Sequence, residues 1–259
     1  MNDDSNYHNC NSNAISIHLH SLTSDKIRPR EVMMEMYNDE WARNYERRAN
    51  AAIPGREGLY RVCKAFFRGL PVDSRILVIG CGTGEELISL AQMLPQASFV
   101  GIDPAQPMLE LCRKRVSSED LSSRINLKPV SLENFTDGGD FDAATAILVS
   151  QHLTDDHAAA EFFATIAALL KPRGRLYSAD VHIASGQDRD LMLALWTEQA
   201  LMSGIETEAV EGMLARFATD LRPRDEATLV GFLRSAGFAN ILKPYSSLIY
   251  GAWAGYKGD

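Results

Sequence analysis

The stretch Arg75-Ile-Leu-Val-Ile-Gly80-Cys-Gly-Thr-Gly84-Glu-Glu86 constrains this chain more than any other. Ile76 to Ile79 form a continuous apolar run closed by glycine, the pattern of a strand buried on both faces of a parallel sheet. Gly80, Gly82 and Gly84 follow at once, and Leu87, Ile88, Leu90 and Ala91 then take up helical spacing. Strand, glycine turn and helix let backbone approach a nucleotide-like ligand with no side chain between them. Further on, Phe99-Val-Gly-Ile102 forms a second apolar run and ends in Asp103. A carboxylate at the tip of a second strand is placed to accept hydrogen bonds from a ribose diol.

A dinucleotide fingerprint places its third glycine three residues after the second. Here Glu85 stands at that position, and the spacing is Gly-x-Gly-x-Gly. Glu85 and Glu86 at a helix N-terminus also oppose a pyrophosphate and suit a cationic or zwitterionic nucleoside. S-adenosylmethionine answers that description, with a ribose, an adenine, an amino acid and a sulfonium but no phosphate.

Val78-Ile-Gly-Cys-Gly-Thr-Gly84 with Gly101-Ile-Asp103-Pro104 resembles the first two motifs of the class I S-adenosylmethionine-dependent methyltransferases. Phe141-Asp-Ala-Ala-Thr-Ala-Ile-Leu-Val149 and Leu169-Leu-Lys-Pro-Arg-Gly-Arg-Leu176 are similar to that family's fourth and fifth strand signatures. The resemblance runs over residues 35 to 257. It implies an α/β, three-layer, Rossmann-like sheet of seven strands, mostly parallel with an antiparallel last strand. It also implies N-terminal helices over the cofactor mouth, and the two helix-like segments after strand 5 read from their own spacing as an inserted helical lid.

By resemblance, Gly80, Cys81, Gly82 and Gly84 form the turn beneath the methionine part of the cofactor, and Asp103 binds the ribose. Pro104, Met108, Ser131 and Leu132 surround the adenine, while Leu148 and Val149 line the methionine side. The family commonly carries an acid two residues before the first glycine, where this chain has Val78. The cofactor's amino group must then be held by backbone carbonyls, by Glu85 or by a lid residue.

At 259 residues the chain suffices for one α/β domain with a lid. Its net charge of −8 disfavours a nucleic-acid acceptor, because phosphate binding leans on a basic surface. The small basic groups Arg28/Arg30, Arg47-Arg48 and Arg113-Lys-Arg115 read as solvated helix faces. Four cysteines show no metal-like spacing, no metal site is expected, and no apolar run is long enough to span a bilayer. These features describe a reduced, cytoplasmic enzyme whose oligomeric state is left open. Cys81 reads as a small apolar filler in the turn.

Residues 1–30, rich in Asn, Ser, Asp and His, read as a disordered tail, and 31–259 as the domain. Residues 31–70 supply cap helices, from Glu31 to Asn50 and from Glu57 to Arg68. Strands are expected at 75–80, 98–103, 125–130, 141–147, 174–182 and 239–244, with a last antiparallel strand over 245–256. Between strand 5 and Pro223, residues 183–224 hold the lid, with helices over 188–203 and 206–219.

Tyr37, Trp41 and Tyr45 share one side of the first helix. The resemblance implies that an aromatic here covers the cofactor's methyl group; the spacing alone equally describes a stripe packed on the core. Trp196 and Gln199 on the lid are candidate acceptor contacts, as is Trp41. Methyl transfer needs alignment more than catalytic groups, and a base only where the acceptor loses a proton. His152, just after strand 4, and His182, two residues beyond Asp180, are the candidate bases, with Tyr45 beside them; each histidine reads more readily as a satisfied structural one. The favoured activity is methyl transfer to a small organic acceptor. The alternatives are a cyclase of the azetidine-2-carboxylate synthase type that consumes the same cofactor and releases methylthioadenosine, a non-catalytic cofactor-binding module, and, last, a NAD-dependent oxidoreductase.

Overall fold

Strand geometry sends Ile76 and Val78 to one side of β1 (Arg75–Ile79) and Leu77 and Ile79 to the other. All four are at most 2% exposed, so both faces of this strand are covered. The computed structural model describes residues 38–136, 138–183 and 189–259. The tail, the first turns of the expected cap helix and Tyr37 lie outside the described residues.

Around β1 the sheet runs β3-β2-β1-β4-β5-β7-β6. Its other strands are β2 (Ser98–Ile102), β3 (Ile125–Lys128), β4 (Phe141–Ile147), β5 (Leu170–Val181), β6 (Phe238–Ser247) and β7 (Tyr250–Lys257). β1 to β5 pair in parallel, and β7 enters antiparallel between β5 and β6. The helices are α1 (Asp39–Ala52), α2 (Arg56–Phe67), α3 (Glu85–Met93), α4 (Gln106–Ser118), α5 (Asp156–Leu169), α6 (Arg189–Met202), α7 (Thr207–Thr219) and α8 (Glu226–Ser235).

One face of the sheet packs Ile76 and Val78 against Leu59, Cys63 and Phe67 of α2, Leu87 and Leu90 of α3, and Leu109 and Cys112 of α4. The opposite face packs Leu77 and Ile79 against Phe162, Phe163 and Ile166 of α5 and Leu229 and Leu233 of α8. A third cluster gathers Ala49 and Ala52 of α1, Leu193 and Trp196 of α6, and Phe217 of α7 over Val181 and Tyr250. That cluster sits where β5 ends and the antiparallel β7 begins, so α1, α6 and α7 cover the carboxyl edge of the sheet.

The largest departures from the expected strand boundaries lie in β5 and at the β6–β7 turn, the others being within two residues. β5 begins at Leu170, whose backbone pairs with Phe141 ahead of a bulge. Tyr245 to Ser247 belong to β6, and the chain reverses at Leu248 (φ 48°) before β7 starts at Tyr250. The Tyr245 hydroxyl donates to Pro54 O at 2.7 Å, which ties this strand to the α1–α2 corner. No helix among the described residues is long and apolar enough to cross a membrane.

Candidate functional site

Parallel strands that all end on one side leave a crevice beyond their carboxyl ends. The cavity there measures about 780 Å³. Its walls are the strand ends Ile79-Gly80, Ile102-Asp103 and Ile147-Leu148-Val149, the segment Val130–Glu133, and side chains from α1, α6 and α7.

The glycine turn owes its shape to close approach. A Cβ on Gly80 (φ 66°) would lie 2.5 Å from Val149 Cγ2, and one on Gly84 (φ 87°) would lie 2.6 Å from Cys112 Sγ. Both positions need the left-handed backbone that glycine adopts without strain. Gly80 N and Cys81 N both donate to Ile102 O, at 2.8 and 3.1 Å, and so tie the turn to the end of β2.

Asp103 is 8% exposed and faces the turn. Its Oδ2 accepts from Gly82 N at 2.9 Å and its Oδ1 from Ala105 N at 2.8 Å. Burial raises its pKa, and the two backbone N–H groups pull it back. Each oxygen keeps lone pairs beyond the one bond it accepts, so a diol presented to it finds two acceptors already oriented.

Leu148 also holds a left-handed backbone (φ 61°), at a cost of order 1–3 kcal/mol for a side chain of this kind. The Leu148 N–H donates to Ala179 O at 2.7 Å. This turn after β4 continues into Ser150-Gln151-His152, and a buried carboxylate holds it. Asp180 Oδ2 accepts from Ser150 Oγ at 2.7 Å and Oδ1 from Gln151 N at 2.9 Å. Gln151 Oε1 accepts from Val181 N, and Arg224 donates to Ser150 O and Leu153 O. Burial pushes Asp180 up to about 7, against the pull of Ser150, Gln151 and Arg224. Asp180 on β5, two residues before His182, thus anchors the turn that carries His152.

Of the residues named from sequence, Trp41, Tyr45, Gly80, Gly82, Asp103, Pro104, Met108, Ser131, Leu132, Leu148, Val149, His152 and Trp196 line the cavity. Cys81, Gly84, Glu85, His182 and Gln199 do not. Cys81 and Gly84 shape the turn from behind, with the Cys81 thiol turned toward Gly101. Glu85 is drawn to Arg56, 2.6 Å away, so the expectation that it meets the ligand's amino group gives way to an ion pair.

His182 is 3% exposed and packs edge-on against Trp253, 5.1 Å between ring centroids. Burial, with the Lys243 charge second, lowers its pKa to about 4. It is a core histidine. Gln199 donates to Ala51 O at 3.0 Å and Ser203 Oγ at 2.7 Å, so it fastens α6 to α1.

Sequence reasoning missed Arg48 and Arg216, both cavity-lining. Arg48 was read as part of a solvated face, yet it sits seven residues after Trp41, two turns along the same side of α1. The Arg115 group is also committed, donating to Glu46 Oε2 at 2.7 Å across α1 and α4. Among the described residues no cluster of His, Cys, Asp and Glu is arranged to hold a metal ion.

Residues 76–174 match the family model described as "Methyltransferase domain". The polyketide synthase ThaQ of Burkholderia thailandensis is 27% identical over 200 residues, which is 71% of this chain and 9% of the synthase. Methyltransferase GfsG of Streptomyces halstedii is 28% identical over 161 residues, 61% of this chain and 56% of its own length. Phosphoethanolamine N-methyltransferase 2 of Haemonchus contortus, solved with S-adenosylhomocysteine, superposes with a TM-score of 0.64 at 16% identity. That likeness covers 86% of this chain and 58% of the other, and it speaks for the fold. The chain thus spans little more than half of the latter two proteins and a small part of the synthase. The chain therefore carries a methyltransferase domain over residues 76–174, in a sheet order and with motifs that resemble those of the class I S-adenosylmethionine-dependent methyltransferases.

Proposed function

We propose that the chain is a transferase that moves a methyl group from S-adenosylmethionine to a small organic acceptor. The observation that carries this reading is Asp103, buried and clamped by an amide of the glycine turn. When bound, S-adenosylmethionine supplies an electrophilic sulfonium methyl group. Asp103 receives the ribose hydroxyls, and Met108 and Leu132 enclose the adenine with Pro104 and Ser131. Gly80 and Gly82 let the backbone pass close beneath the methionine portion, with Leu148 and Val149 at its side.

The α6–α7 segment acts as a lid over the acceptor, within an insertion of residues 183–224, and the helices of 31–70 act as a cap. Trp41, Tyr45 and Trp196 exclude water from the acceptor side and fix its approach, and alignment supplies most of the rate. His152 takes the acceptor's proton where one is lost. Its turn, pinned by Asp180 and Arg224, holds the imidazole at the cavity wall. A net charge of −8 favours a small acceptor over a nucleic acid.

Calorimetric titration with S-adenosylmethionine and S-adenosylhomocysteine tests the reading on wild type and Asp103→Ala. The variant loses two charge-assisted bonds to the ribose, so its affinity should fall roughly 100-fold or more. Failure of the wild type to bind either ligand would overturn the assignment. Mass analysis of the incubated cofactor should show no methylthioadenosine; its appearance without an acceptor would establish cyclisation of the cofactor instead.

A further inference from the structure

The charges that line the cavity come from different elements according to sign. Asp103, Glu133 and Glu161 stand toward β2, β3 and α5, and each has a partner. Asp103 accepts two backbone amides, Glu133 lies 3.2 Å from Ser131 Oγ, and Glu161 lies 3.3 Å from His157. The arginines come from the covering helices, Arg48 from α1 and Arg216 from α7. Both pack on the Trp41 indole, with guanidinium carbons 4.9 and 5.3 Å from the ring centroid.

Their charges are not balanced equally. Arg216 faces Asp220 at 3.3 Å, and that carboxylate is fully buried. No carboxylate among the described residues lies within ion-pair distance of Arg48. A guanidinium stacked on an indole spends its face on the ring and keeps its in-plane N–H groups free for a bidentate anion. The same cavity is lined by Ile53, Val181, Trp196, Met213, Phe217 and Tyr250, an apolar cluster that includes Ala49, the residue after Arg48 on α1.

A cation with no carboxylate partner among the described residues, in a cavity that also has an apolar wall, is complementary to a molecule with an apolar body and one anionic group. We propose that the acceptor belongs to this class, an amphipathic carboxylate whose anion is held by Arg48 beside Trp41. This inference rests on the methyltransferase reading, and it extends that reading to the acceptor's chemistry. A carboxylate also exists on the amino-acid end of the cofactor, so the test must separate the two sources.

Protein saturated with S-adenosylhomocysteine is titrated calorimetrically with 4-phenylbutyrate and with 4-phenylbutan-1-ol, the same body without the charge. The wild type should prefer the carboxylate about tenfold or more, equivalent to one strong ion pair. Arg48→Gln should abolish the preference through weaker carboxylate binding, with alcohol and S-adenosylhomocysteine affinities unchanged. Arg48→Lys, which keeps the charge, should retain part of it. A wild type that binds both probes equally, or neither, overturns the proposal while S-adenosylhomocysteine binding still upholds the activity. An Arg48→Gln protein that loses S-adenosylhomocysteine affinity and keeps its preference also overturns it, because the arginine then serves the cofactor.

Discussion

Glu86 shows how a single buried group shapes the behaviour of this molecule. It is 7% exposed at the start of α3, and burial pushes its pKa from 4.5 to about 7, only partly offset by the Thr145 hydroxyl and the Arg56 charge. Below pH 4.5 the carboxyl is protonated in folded and unfolded chains alike. Between pH 4.5 and 7 the unfolded chain releases the proton and the folded one retains it, so stability falls as pH rises. The loss is on the order of 3 kcal/mol and is complete above pH 7. Glu86→Gln should therefore flatten the stability profile, as urea unfolding at pH 5 and pH 8 would show. Asp180, raised in the same direction, leaves the variant a residual slope. An unchanged profile would mean that Glu86 is solvated in the native state. Sequence marked Glu86 only as one of two acids at a helix start. Its burial arises because α3 turns that side chain toward β4, where Thr145 pairs with Val78 in the sheet. At position 78 itself the family's usual acid is absent, and the carboxylate of this region comes from the helix instead.

At the scale of elements, the helices between β5 and α8 are joined to α1 by few but specific bonds. Trp196 is 1% exposed, meets Phe217 edge-on at 5.3 Å and donates from Nε1 to Ala52 O at 2.8 Å. Trp196→Ala removes that bond and opens a void, at a cost of about 3–5 kcal/mol. The expected result is a lower unfolding midpoint in urea with S-adenosylhomocysteine affinity retained, since Trp196 stands on the acceptor side. A stability loss of less than about 1 kcal/mol by equilibrium unfolding would show that α6 packs loosely. Both helices were legible in advance to within a residue or two, because an apolar residue recurring every third or fourth position marks a helix whatever covers it. The division of labour along α6 was not: Trp196 lines the cavity and Gln199, three residues on, binds backbone outside it. Likewise strand period put Asp180 and His182 on one face without saying that Asp180 would meet Ser150 and Gln151 and that His182 would meet Trp253.

At the scale of the molecule, the cavity is bounded below by the sheet and above by three helices distant in sequence. A ligand that bridges floor and cover should stabilise both. At 100 times its dissociation constant, S-adenosylhomocysteine should raise folding stability by about 2.7 kcal/mol, a rise in Tm of roughly 5–10 °C. Amide exchange should slow in α1 and in the glycine turn, and β1, β4 and β5 should change little because they are already protected by the global fold. Protection confined to the sheet, with α1 unaffected, would argue against a cap role for that helix. The sequence alone determined the sheet, its glycine turn and the position of Asp103, since each is written in contiguous residues governed by local backbone geometry and strand burial. Only the tertiary structure decided that Arg48 and Arg216 meet on Trp41, that Glu85 belongs to Arg56, and that His152 rather than His182 reaches the cavity. Those outcomes depend on which side chains meet after α1, α7 and the strand ends converge, and no local pattern in the chain encodes that encounter.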